Sequence, residues 1–182
     1  WRADTARAAL DAGADGLNDI TAGRGDPGLL PLAAAAGCGL VLMHMQGTPA
    51  TMQQDPRYDD VVAEVAAHLE ARACAALAAG VAPSRLLVDP GLGFGKDLAH
   101  NLALLARVRE ATGGRPALIG ASRKSFIAGI TGAPVERRLP GSLAAAAIAL
   151  AAGAAAVRVH DVAETVQMLD VLAAVAGAGD RR

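Results

Sequence analysis

The stretch Leu86-Leu87-Val88-Asp89-Pro90-Gly91-Leu92-Gly93-Phe94-Gly95-Lys96 decides how the chain is to be read. An apolar run ends abruptly in a carboxylate, a proline and glycines at alternate positions. Pro90 fixes its own φ and biases Asp89 towards extended backbone, which puts the carboxylate at the tip of a strand. The glycines let the backbone pass close to whatever that carboxylate faces. Leu98, Leu102, Leu105 and Val108 then recur at helical spacing. Strand, acidic tip, glycine loop and helix is the order of a ligand site at the carboxyl end of a parallel strand. Gly91, Gly93 and Gly95 do not form a dinucleotide fingerprint, because its spacing and its following acidic residue are absent. Lys96 reads as a surface residue.

The same order recurs on both sides. Alanine-rich helices end in glycine before Gly16-Leu17-Asn18-Asp19-Ile20, Gly39 to His44, Ala117 to Ser122 and Ala156 to His160. The apolar runs are unalternated, as expected of strands covered on both faces. Five strands alternating with helices predict a parallel α/β sheet with right-handed crossovers. In an open sheet the polar tips gather at a switch point, whereas in a barrel every tip faces one mouth. All five strands carry polar tips, which favours a (β/α)8 TIM barrel. Five units cannot close eight strands, and Trp1-Arg2-Ala3-Asp4 already lies at the start of a helix, Ala3 to Ala12. The chain is therefore expected to supply about the last five βα units of the barrel. Gly177-Ala178-Gly179-Asp180-Arg181-Arg182 reads as a frayed terminus.

At 182 residues, one sizeable core is expected. The longest apolar stretch, Leu143 to Val157, is mostly alanine and is stopped by Arg158, so a buried helix is expected rather than a membrane span. With a net charge of −1 and 2% aromatic residues, nothing resembles a nucleic-acid surface. Cys38 and Cys74 read as free buried thiols of a reducing cytosol.

The tips carry the chemistry. Asn18 both donates and accepts, which suits the edge of a heterocycle, although Asn18-Asp19 also suits a turn. Met43-His44-Met45-Gln46-Gly47 offers His44 as base, ligand or supporting residue. No other ligand lies at metal spacing, and His68 on the following helix (about Asp59 to Ala78, apolar at Val62, Val65, Leu69 and Leu77) is expected at the surface. Gly120-Ala121-Ser122-Arg123-Lys124-Ser125-Phe126 places cations and hydroxyls after a strand, but its spacing excludes a Walker loop. Arg158 and His160 fall on one side of the last strand, suited to phosphate, with the helix from about Val162 aiming its amino terminus at the same mouth and Asp161 as its N-cap. Neutral and acidic groups (Asn18, Asp89) are expected on one side of the mouth, and cations (Lys124, Arg158, His160) on the other.

Together these motifs resemble dihydropteroate synthases. Asp89-Pro90-Gly91-Leu92-Gly93-Phe94-Gly95-Lys96 followed by Ser122-Arg123-Lys124-Ser125 is the specific part; Asn18-Asp19-Ile20, Met43 to Gly47 and Arg158-Val159-His160-Asp161 support it in the family's order. The resemblance implies a TIM barrel of which residues 1–182 form the C-terminal part (strands 4 to 8), in a cytoplasmic homodimer with no nucleic acid or membrane. It implies condensation of 6-hydroxymethyl-7,8-dihydropterin diphosphate with 4-aminobenzoate, the step at which sulfonamides compete. It also implies residue roles: Asp89 and Lys124 catalytic; Asn18, Asp89 and Lys124 at the pterin; Arg158 and His160 at the diphosphate; Phe94 and Ser125 at 4-aminobenzoate. Mg2+ is the implied cofactor, held by an asparagine expected before Trp1. Two rival expectations remain: a methyltetrahydrofolate-binding methyltransferase barrel, whose substrate lacks the diphosphate that Arg158 and His160 suit, and a truncated inactive copy.

Overall fold

Each unalternated apolar run becomes a strand, and every strand runs parallel to its neighbour. The computed structural model describes residues 1–179, so Asp180, Arg181 and Arg182 of the expected frayed end lie outside the described residues. Strands β1 (Gly16–Asp19), β2 (Gly39–Met43) and β3 (Leu86–Asp89) form one parallel ladder, with Leu17 opposite Leu40, Val41 opposite Leu87 and Met43 opposite Asp89. Strands β4 (Leu118–Ile119) and β5 (Ala156–Val157) pair in the same sense. A parallel bridge between Val88 and Ala117 joins the two groups. Spatial order thus follows chain order from β1 to β5, with no reversal of the kind that makes a switch point in an open doubly wound sheet.

β4 and β5 are shorter than their apolar runs. The chain leaves β4 early because Gly120 to Arg123 turns, with Arg123 in the left-handed region at φ +58°. Arg158 N still donates to Ile119 O at 2.9 Å, so Arg158 stays tied to the end of the ladder.

Between the strands lie α1 (Ala3–Asp11), α2 (Leu29–Ala36), α3 (Val61–Ala78), α4 (Leu98–Ala106), α5 (Val108–Ala111), α6 (Ser125–Thr131), α7 (Leu139–Ala151) and α8 (Val162–Gly179). The expected frayed end is helical through Gly179. α3 starts where Asp60 accepts from the Val62 and Ala63 amides, an ordinary cap. Its two faces serve two cores. Val62, Val65 and Leu69 pack with Val88, Leu104 and Ile119, while Ala73 and Ala76 pack with Leu40, Leu42 and Leu86. Each fully buried Leu or Val of this kind contributes about 1.5–3 kcal/mol through removal from water.

Three expectations fail here. The buried stripe of α4 is Asn101, Leu104 and Leu105, continuing to Val108 in α5, whereas Leu98 and Leu102 face solvent at 38% and 41% exposure. The helix is rotated so that Asn101 can turn its amide to the glycine loop. Cys38 is buried but Cys74 is exposed, both as free thiols. Asp161 gives its carboxylate to the Arg123 guanidinium, so it is spent on an ion pair. The alanine-rich stretch after Arg138 forms α7, and no helix of the described residues is long and apolar enough to cross a membrane.

Candidate active site at the strand tips

Parallel strands in register bring their carboxyl ends to one side, so the polar tips meet there. Asp89 ends β3 with 1% exposure. Its Oδ1 accepts the Gly91 amide at 2.7 Å, and its backbone oxygen accepts the His44 amide at 2.9 Å. The glycine loop has no room for side chains. A Cβ on Gly91, whose φ is +68°, would overlap the His44 carbonyl oxygen, and one on Gly95 would lie 2.6 Å from the Gln46 carbonyl oxygen. Side chains from four other segments grip the loop's polar backbone. Gly93 N donates to Asn101 Oδ1 at 2.6 Å, Gln53 Nε2 donates to Gly93 O at 2.5 Å, Tyr58 donates to Gly95 O at 2.8 Å, and Lys124 donates to Leu92 O. Lys96 donates to Phe94 O at 2.9 Å.

Lys96 corrects the sequence reading. It is buried at 3% exposure, with its ammonium 2.9 Å from His44 Nδ1. Burial pushes it down to about 7, partly opposed by Asp89. His44 is held neutral at about 2 by burial and then by Lys96, and the neutral ring accepts from the ammonium. His68, expected at the surface, is half-buried and lies edge-on to His44 with centroids 4.8 Å apart. Its Nε2 is buried without a hydrogen-bond partner, and burial pushes it down to about 4. Asn101, Gln53 and Tyr58 were missed altogether. The only signal for Lys96 was its place between the last loop glycine and Asp97, the α4 cap.

Three further predicted residues converge on Asp89. Lys124 Nζ lies 4.9 Å from the Phe94 ring centroid, a cation–π contact that joins two predicted residues. Burial pushes Lys124 down to about 8, opposed by Asp89 and reinforced by Arg158. Arg158 bridges the tips, reaching Asn18 Oδ1 at 3.2 Å and Asp89 Oδ2 at 3.4 Å. Gly120 makes space for it, since a Cβ there would lie 2.6 Å from Arg158 Nη2. The predicted separation of acidic and cationic sides therefore fails: the guanidinium lies against both acceptors. His160 approaches Ser122 Oγ through Nδ1 at 3.0 Å. Ser122, Lys124, Arg158 and His160 line one cleft of about 250 Å³.

The remaining predicted positions divide. Ser125 opens α6 and is exposed, so only its sequence adjacency to Lys124 ties it to the site. Asp19 turns away from the mouth and accepts from Thr21 N at 2.9 Å and Gly23 N at 2.5 Å, which is the turn role. No cluster of three His, Cys, Asp or Glu among the described residues fits a metal ion.

Burial pushes the Asp89 carboxyl above its ordinary value, against the Gly91 amide, Lys124, Arg158 and Lys96. Chemically, this is a sealed carboxylate that favours a ligand bearing N–H donors and positive charge, next to cations able to hold an anion. The larger cleft of about 490 Å³ around Tyr58, Glu64 and His100 has none of these groups.

Comparison with known proteins adds a family to this chemistry. A family profile described as pterin binding enzyme matches residues 1–160. The chain is 49% identical over 164 residues to the dihydropteroate synthase of Neisseria meningitidis serogroup B, covering 87% of this chain and 58% of that one. Among solved structures, the dihydropteroate synthase of Stenotrophomonas maltophilia with active site-bound imidazole superposes with TM-score 0.90 at 50% identity, covering 95% and 66%. That of Burkholderia cenocepacia complexed with 7,8-dihydropteroate gives TM-score 0.90 at 47% identity, covering 99% and 67%.

Proposed function

The chain belongs to the pterin binding enzyme family, and on that premise we propose that it forms part of a dihydropteroate synthase. The reaction joins 6-hydroxymethyl-7,8-dihydropterin diphosphate to 4-aminobenzoate, giving 7,8-dihydropteroate and diphosphate in folate biosynthesis. The observation that carries this reading is the buried Asp89 with Asn18, Lys124 and Arg158 converging on it, in a chain so similar to named dihydropteroate synthases. Because the chain spans 58% of the Neisseria relative, turnover is proposed for the full-length protein and ring binding for this chain. We take residues 1–182 as the C-terminal part of one (β/α)8 domain, strands 4 to 8, of a cytoplasmic homodimer. Unbroken parallel order from β1 to β5 supports that architecture, as do exposed Ile148, Val166 and Val171, which suit a further covering surface.

In this mechanism Asn18 and Asp89 hold the donor edge of the pterin ring. The C–O bond between the pterin methylene and diphosphate breaks, and its electron pair leaves with diphosphate. The methylene cation is delocalised into the ring, where ionised Asp89 stabilises it in a site shielded from water. Arg158 and His160 take the charge on the departing diphosphate. For this, Arg158 gives up its contacts with Asn18 and Asp89 to the ring's own N–H groups and turns to the anion. The free amine of 4-aminobenzoate, between Phe94, Ser125 and Lys124, then forms the C–N bond and releases its proton. That amine is uncharged at neutral pH, so no strong base is required. Mg2+ finds no fitting ligand set among the described residues, and no step is derived through it.

The test is production of dihydropteroate from the two substrates by the full-length protein, wild type and Asp89→Asn. Loss of one charge-assisted contact in the transition state is expected to lower turnover at least ~100-fold. Equal turnover of the two proteins would overturn the reading.

A further inference from the structure

Lys96 takes no part in the chemistry just described. A lysine buried to this extent bears a desolvation cost that only defined partners offset. Those partners are His44 Nδ1 and the Phe94 carbonyl, each at 2.9 Å. Asn101 fixes the backbone around it, accepting from Gly93 N at 2.6 Å and donating to Lys96 O at 3.3 Å. The ammonium is therefore anchored inside the very loop that Asp89 opens.

We propose that Lys96 is a positioning residue: it pins the glycine loop against His44 and supplies the fixed, buried cation that keeps Asp89 ionised. What an ionised Asp89 then does rests on the pterin reading; the coupling between the two groups does not. Asp89 is faced by Lys96 from its own loop, Lys124 from the turn after β4, Arg158 from the end of β5, and the Gly91 amide. Lys96 is faced by His44 after β2, by Asp89 and by Lys124, with His68 of α3 behind His44. Arg24, after β1, adds its charge to both histidines. Tyr58 stands 6.1 Å from the His44 ring and is bonded to the loop. Of the three cations near Asp89, Lys124 is half-buried and Arg158 exposed at the mouth, where an anionic ligand competes for them. Lys96 is sealed, so its charge is not drawn off.

Coupling between two titrating groups is reciprocal, which gives two independent arms to the test. Nuclear magnetic resonance would follow the Asp89 carboxyl carbon through pH in wild type, Lys96→Met and Lys96→Arg. The midpoint is expected to rise by about one pH unit or more in Lys96→Met and to return towards wild type in Lys96→Arg. In Asp89→Asn, a nearly isosteric change, the Lys96 ammonium midpoint is expected to fall by a similar amount, and this arm stands even if Lys96→Met does not fold. Unmoved midpoints in the arms that fold would overturn the proposal. Pterin binding on the same samples separates the two readings. An acid limb of binding that follows the Asp89 midpoint supports both, and coupled midpoints with no pterin binding support the coupling alone.

Discussion

The tip of β3 and the tip of β5 meet over the same space, yet they are built to opposite standards. Asp89 is sealed, and its loop is clamped at Leu92, Gly93, Phe94 and Gly95 by Lys124, Asn101, Gln53, Lys96 and Tyr58. Arg158 is exposed over 42% of its side chain and held only by bonds of 3.2 and 3.4 Å to Asn18 and Asp89. The difference suits the two jobs. A carboxylate that must stabilise a transient cation works best when it needs no reorganisation. A guanidinium that follows a leaving anion must be able to move, and a long, exposed ion pair lets it do so at little cost.

The sharpest way to break the rigid half is Gly91→Ala. The added methyl overlaps the His44 carbonyl oxygen, and φ of +68° is strained for alanine. Relief requires the loop to part from the β2 tip, with a loss of about 3 kcal/mol or more and collapse of pterin binding. Urea denaturation would read the first effect and pterin titration the second.

A second way tests burial around Lys96. His44 and His68 are held neutral when folded, pushed down to about 2 and 4, but they titrate near 6.5 when unfolded. Between those values the unfolded state binds more protons, so stability is full above 6.5 and falls as pH drops below it. Chemical denaturation at pH 7, 6 and 5 is expected to show this decline. His44→Gln should flatten it by up to about 1.4 kcal/mol per pH unit.

The loose half predicts a split outcome. Arg158→Gln should weaken binding of inorganic diphosphate about tenfold, roughly 1.4 kcal/mol, while changing stability by less than about 1 kcal/mol. A large loss of stability would mean that Arg158 is structural and that the contrast between the two tips is wrong.

The same contrast explains what the sequence disclosed. The strand tips were legible because unalternated apolar runs and terminal polar residues are local signals, and Asn18, Asp89, Lys124, Arg158 and His160 were all found that way. The grip on the loop was not. Whether Lys96 is buried depends on His44, some fifty residues away, and whether Asn101 turns inward depends on how α4 rotates on the core. The stripe that begins at Leu98 is an equally regular helical pattern, and only packing against α3 and α7 chooses between the two faces. Arg158 was found, but its place against Asp89 was not, because alternation gives a side chain's direction and not its partner.

The account's central claim is that β3 ends in a preorganised carboxylate that binds a pterin ring. Calorimetric titration of this chain with a pterin diphosphate analogue, beside Asp89→Asn of unchanged melting temperature, tests it most directly. The account predicts saturable binding by the wild-type chain and its loss in the variant. Equal affinity in the two proteins, or no binding by the folded wild-type chain, would contradict it.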